Sequence, residues 1–294
     1  MPETDSLSAL SWLVDAGADE AVLEEPVDRF ISNPPLEGGS KSRASVSENG
    51  ISGRGSGASS KTDPSPKFAS QISTLSQGEG GRPAHASPST DPIGSAMEIA
   101  AACNTLAELK AALEAFDGCA LKKSATHTVF ADGVPDKHIL FIGEAPGAEE
   151  DRRGLPFVGR AGQLLDKMLD AIGLSRSENA YITNVLNWRP PGNRDPDPTE
   201  VAMCIPFLRR HIELVDPGII VLLGKVAVKN VAGIAEGIMA TRGKWLQYFV
   251  SDRMVPVMPT LHPAYLLRQP GHKKLAWRDL QAVQEKIEAL GLLD

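Results

Sequence analysis

The chain predicts an α/β fold: four parallel strands forming one sheet, enclosed by helices in three layers, α/β/α. Three observations predict it. Four short strand-like runs occur at Ile139–Ile142, Tyr181–Leu186, Ile219–Leu223 and Val255–Met258. Helical patterns separate the first three, at Gln163–Ile172 and Thr199–Leu214, and a shorter one at Lys225–Val231 follows the third. Strands alternating with helices build a parallel sheet covered on both faces. Right-handed crossovers then place all four strand carboxyl ends on one edge.

From the amino terminus, residues 1–30 form an acidic amphipathic segment, with Leu7, Leu10, Trp12, Leu13, Val14, Val22 and Leu23 set among acids. A helix of that length is marginal in water by itself, so the segment reads as either a frayed tail or a docking peptide for another protein. Residues 31–95 are rich in Ser, Gly and Pro and poor in large apolar side chains. Such a stretch cannot bury enough surface to offset its chain entropy and is expected to be a disordered linker. The compact domain is expected over 96–294. It opens with a helical pattern from Ala96 to Phe116 and closes with another over Lys273–Leu290.

Charge divides the same way. Residues 1–119 hold 17 acidic and 8 basic side chains, whereas residues 120–294 hold 20 and 22. The net charge of −7 therefore belongs to the amino-terminal part, and the near-neutral domain is free to meet a nucleic acid through a local patch. The basic pairs Arg152-Arg153, Arg209-Arg210 and Lys273-Lys274 are candidates for such a patch. Three widely spaced cysteines, Cys103, Cys119 and Cys204, do not suggest a disulfide framework and point to a reducing cytoplasm. Met1-Pro-Glu-Thr-Asp is not a secretory leader, and no apolar run reaches membrane-spanning length.

Chemistry gathers at the shared edge. After the first strand comes a long loop, Gly143–Gly162, rich in glycine and acids. Asn184 lies at the end of the second strand, followed by Trp188-Arg-Pro-Pro-Gly-Asn-Arg194. After the fourth comes His262-Pro-Ala-Tyr-Leu-Leu-Arg268. Ligands in open α/β sheets bind at this edge. An aromatic (Phe157), an amide (Asn184) and an imidazole (His262) together suit a flat heterocycle with mixed donors and acceptors. An imidazole donor can also stabilise negative charge on it. The carboxylates Glu144 and Glu150 can orient water or read a polar group. Arg189, Asn193 and Arg194 sit on a proline-stiffened loop and suit phosphate oxygens. Leu266, Leu267 and Arg268 can act as an apolar wedge with an adjoining phosphate clamp, or the leucines can be core.

Four segments, Gly143-Glu-Ala-Pro-Gly147, Gly154-Leu-Pro-Phe-Val-Gly-Arg-Ala-Gly162, Arg189–Arg194 and His262–Arg268, resemble the family 4 uracil-DNA glycosylases in order and spacing over about residues 116–290. The resemblance implies an α/β/α fold and hydrolysis of the N-glycosidic bond of flipped-out deoxyuridine in DNA, leaving an abasic site. It implies that Glu144 lies in the water-positioning loop and that Ala145 and Gly147 line the uracil site. Phe157 would stack on uracil, Asn184 would read its polar edge, and Glu150 would exclude thymine's methyl group. His262 would stabilise the departing anion. Ala145 stands where the best-known glycosylase family has a catalytic Asp, which implies reliance on leaving-group stabilisation. No lysine is placed by the motifs for a Schiff base, so strand cleavage is not expected. A covalently DNA-linking relative carries an inserted basic loop near the fourth strand, and Thr241–Gln247 shows no such insertion.

The chain departs from the family at one point. Family 4 enzymes carry a 4Fe-4S cluster on four cysteines, and the corresponding positions here are Phe116, Cys119, Trp188 and Cys204. Two thiolates are too few, and Cys103 lies too far from Cys119 along the chain to substitute. No cofactor is expected; DNA containing uracil is the expected partner. Two other classes remain: a catalytically weak DNA-binding repair scaffold of the same fold, and a nucleotide-binding α/β protein. The absence of G-x-G-x-x-G and of a P-loop opposes the last.

Overall fold

The protein is seen here in a computed structural model that describes residues 92–293. The readings of residues 1–30 and of nearly all of 31–95 lie outside the described residues. Six strands form one sheet: β1 (Ala131–Gly133), β2 (Ile139–Gly143), β3 (Tyr181–Asn184), β4 (Ile219–Leu223), β5 (Leu246–Val250) and β6 (Arg253–Thr260), in the order β1-β3-β2-β4-β6-β5. The four predicted strands are its parallel centre, with Phe141 opposite both Ile182 and Val221, and Val221 opposite Met258. To these the structure adds two antiparallel edges, β1 on β3 and β5 on β6. β1 is a short, half-buried Ala-Asp-Gly, which carries none of the apolar signal of a central strand.

Alternation across the pleat divides the core. Leu140, Ile142, Ile220, Leu222, Val255 and Val257 face one layer with α1 (Pro92–Ala102), α2 (Leu106–Ala115), α5 (Pro198–Val215) and α6 (Lys225–Ala232). Ile139, Phe141, Ile219, Val221 and Met258 face the other, with α4 (Arg160–Asp170), α8 (Pro263–Arg268) and α9 (Lys273–Leu290). Two short helices, α3 (Ala148–Arg153) and α7 (Ile238–Thr241), lie in connections.

The helix expected over Ala96–Phe116 is two helices. The first ends at Ala102, and Thr105 caps the second: its hydroxyl accepts from the Glu108 N–H at 3.1 Å, while the Glu108 carboxylate accepts from the Asn104 N–H at 2.6 Å. A reciprocal cap of this kind satisfies donors that a continuous helix would otherwise have to place elsewhere. The chain runs from β2 to β3 on one side, then crosses to β4 on the other side of β2. The loops leaving β2 and β4 diverge, and a crevice opens at the carboxyl edge of the central strands.

Candidate active site

That crevice is a cavity of about 620 Å³. The loop after β2 supplies Glu144, Ala145, Gly147, Glu150 and Phe157; β3 supplies Asn184. The Arg189–Arg194 loop supplies Asn193 and Arg194, and the segment after β6 supplies His262 and Arg268. Residues far apart in sequence thus meet because each sits at the end of a parallel strand. The long loop after β2 is not wholly irregular. It contains α3 and ends in α4, and its shape is set by Glu150, whose carboxylate accepts from the backbone N–H groups of Gly147 (3.1 Å), Val158 (3.0 Å) and Gly159 (2.9 Å).

Phe157 is held in an uncommon conformation. Its φ of +53° lies in the left-handed region, unfavourable for an aromatic residue. Three contacts hold it there. Its carbonyl accepts from the Arg176 guanidinium at 2.8 Å, and Gly162 packs so close that a Cβ would lie 1.8 Å from that oxygen. Its ring meets the His262 ring at 5.6 Å between centroids. Gly143, the last residue of β2, clears the space beside it: a Cβ there would lie 2.4 Å from Asn184 Oδ1 and 2.5 Å from Phe157 Cζ. Asn184 is 2 % exposed, and its Oδ1 has no hydrogen-bond partner among the described residues. A buried amide oxygen left without a donor costs about 1–3 kcal/mol, a cost that a ligand's N–H removes.

His262 caps α8. Its Nδ1 accepts from the Ala264 N–H at 3.1 Å, so the proton of the neutral ring resides on Nε2. Burial, with help from the Arg268 cation, pushes its pKa down to about 4. Near neutral pH it is therefore an uncharged Nε2–H donor at the cavity wall. Burial and the neighbouring Asp195 raise the pKa of Glu144, while Lys225 and Arg268 oppose the rise.

The model of the uracil DNA glycosylase superfamily matches residues 130–281. The type-4 uracil-DNA glycosylase of Sulfurisphaera tokodaii is 37% identical over 187 residues, covering 62% of this chain and 84% of that protein. The type-4 uracil-DNA glycosylase of Thermotoga maritima is 40% identical over 176 residues, covering 59% of this chain and 90% of that protein. The chain belongs to the type-4 branch of the uracil-DNA glycosylase superfamily. A DNA polymerase of Bacillus phage SP01 also contains a similar stretch, 28% identical over 168 residues but only 18% of its length.

Within the glycosylase, two sequence expectations need correction. Leu266 is not part of a wedge: it is fully buried in the core beneath α8, and of the pair only Leu267 is exposed. Successive helical residues point about 100° apart, so they cannot both face the DNA side. Arg194 is not a free cation, because its guanidinium pairs with the Glu200 carboxylate at 2.9 and 2.5 Å. Glu150 lines the cavity, and its oxygens also hold the loop in place. Arg189 and Asn193 are joined to each other at 2.8 Å, which stiffens the loop they share. Sequence reasoning missed Gly224 and Lys225, which follow β4 and line the cavity, and Asp195, which pairs with Lys225 across it at 3.3 Å. The rule that singled out the other three strand ends, applied to Ile219–Leu223, would have found the first two.

The four family positions for an iron–sulfur cluster do not fit one here. Phe116 and Trp188 are buried; the Trp188 indole donates to Thr128 Oγ1 at 3.0 Å, and Phe116 meets Phe207 at 5.1 Å between centroids. The Phe116 ring lies so close over Gly118 that a Cβ there would be 2.3 Å away. The neighbouring Cys119 thiol and burial raise the Cys204 thiol well above its usual range. No group of three or more metal-ligating His, Cys, Asp or Glu side chains occurs among the described residues. None of their helices is long and apolar enough to cross a membrane.

Proposed function

We propose that the cavity receives a uracil swung out of DNA, and that its side chains hydrolyse the N-glycosidic bond to leave free uracil and an abasic site. The observation that carries this reading is the orphaned, buried Oδ1 of Asn184 beside the Phe157–His262 ring pair. Uracil presents an N3–H between two carbonyls; N3–H donates to Asn184 Oδ1, and the amide nitrogen donates to O4. Cytosine has no proton at N3 and an amino group at C4, so both contacts become mispaired and the base is rejected. The Phe157 ring stacks on the pyrimidine. As the bond to the sugar breaks, negative charge grows on the uracil, and the Nε2–H of His262 donates to O2. A neutral donor suits this role, since it stabilises the anion without having to be charged beforehand.

Glu144 holds the attacking water and accepts its proton. Its raised pKa makes its carboxylate a stronger base than an exposed one. Ala145 supplies no carboxylate of its own. Lys225 and Arg268 at the mouth, with Arg189, hold the phosphates flanking the extruded nucleotide. A duplex must yield the base at a cost of a few kcal/mol, and Leu267 fills the gap. Glu150, fixed between Gly147 and Gly159, sets the wall that thymine's methyl group would strike.

The enzyme works without an iron–sulfur cluster, its place taken by the packed Phe116 and Trp188 rings. Protein purified without oxygen is expected to hold no stoichiometric iron; a 4Fe-4S absorption band with four irons per chain would refute this. Single-turnover excision on an oligonucleotide with one uracil, followed by alkaline cleavage, tests the catalytic reading. His262→Ala is expected to lose about 10²–10³-fold in rate, and Asn184→Asp to gain activity on cytosine. DNA binding without product from the unaltered chain would instead make it a repair scaffold.

A further inference from the structure

In the layer formed by α1, α2, α5 and α6, α1 and α5 leave an apolar groove of about 410 Å³. Met97, Ala101, Ala202 and Ile205 line it, and Met97 is 56% exposed. Arg209 and Arg210 form a basic lip. Arg210 is engaged with the Cys103 carbonyl and with Glu213, both at 2.8 Å, whereas Arg209 is exposed. We propose that this groove is the docking site for residues 5–24 of the same chain.

Three features of the chain point to that occupant. Leu7, Leu10, Leu13 and Val14 are spaced as on one face of a helix, the shape an apolar groove between two helices accepts. The charges are complementary: from Met1 to Asp28 there are eight carboxylates and no Lys or Arg, and the lip is basic. The tether also ends in the right place. It joins the described residues at Pro92, the first residue of α1, so the linker is anchored on the groove's own wall. A Gly/Ser-rich chain of the intervening length spans roughly 45 Å on average, ample for the segment to fold back. Tethering holds it at an effective concentration on the order of millimolar, so weak contacts suffice.

A photoreactive benzophenone side chain placed at Met97 in the full chain tests the proposal. Irradiation at two protein concentrations about tenfold apart, followed by peptide mapping, is expected to give links within one chain to residues 5–24, at equal yield. Leu10→Asp combined with Leu13→Asp alters no residue that lines the catalytic cavity and leaves excision unchanged. It should lower that yield by about tenfold or more, through loss of two apolar anchors. Arg209→Glu should lower it several-fold, and more at low salt. Links between chains, links that miss residues 1–30, or a yield indifferent to the leucine pair would each overturn it. These outcomes are read on cross-links, so they are independent of whether uracil is the substrate.

Discussion

Gly143→Ala isolates the geometry of the site in one methyl group. Its Cβ would lie 2.4 Å from Asn184 Oδ1 and 2.5 Å from the Phe157 ring, where ordinary contact needs about 3.4 Å or more. The amide, the ring or both must therefore retreat by about 1 Å. Neither is free to do so cheaply. Asn184 is buried on a central strand, and Phe157 is held by Arg176 and by its contact with Gly162. A misplacement of 1 Å at a reacting centre costs about 10²-fold in rate. The overpacking itself costs about 1–3 kcal/mol, a fall of several degrees in melting temperature for a domain of this size. The assay is single-turnover uracil excision well below the melting temperature, with circular dichroism to confirm the fold. A folded Gly143→Ala variant that excises uracil within threefold of the unaltered enzyme would refute the claim that these two side chains jointly grip the base.

Other expectations concern stability and DNA contact. His211 is 3 % exposed, and burial holds its pKa down to about 3, against 6.5 for a free imidazole. It is neutral in the fold, and the unfolded chain takes up its proton as pH falls below about 6.5. Stability should therefore decline from there toward pH 3 with about 1.4 kcal/mol per pH unit from this residue. Urea unfolding of His211→Phe should show that slope reduced by one proton's worth; an unchanged slope would count against it. Asp279, 2 % exposed, accepts from Thr260 Oγ1 at 2.7 Å and pairs with Arg242. Asp279→Ala leaves that cation buried without its partner and should cost about 3–5 kcal/mol by denaturant titration. Leu266→Ala should cost about 2–5 kcal/mol. Leu267→Ala should leave the melting temperature nearly unchanged yet slow excision from duplex more than from single strands; equal slowing on both would remove its role in base extrusion.

Much of this was legible beforehand because strands announce themselves by composition. Ile139–Ile142 and Ile219–Leu223 are continuous apolar runs, and a parallel sheet forces the segments after them onto one edge. That rule alone brought Phe157, Asn184 and His262 together. The edges β1 and β5 were not legible: a half-buried strand needs no apolar run, and its pairing is decided by the neighbour it meets. The break at Thr105 was written in the sequence as Thr-Leu-Ala-Glu, a local capping signal that the longer apolar periodicity overrode.

The residue inventory of the active site, the acidic leader and the loss of two cluster cysteines belong to the sequence itself, since chemical identity and order along the chain do not wait on folding. Which face each residue presents was settled only in three dimensions. Helix phase buried Leu266 and exposed Leu267; proximity paired Arg194 with Glu200 and turned Glu150 inward to three backbone amides. Direction and partnership depend on contacts between distant segments, and those exist only once the layers have packed.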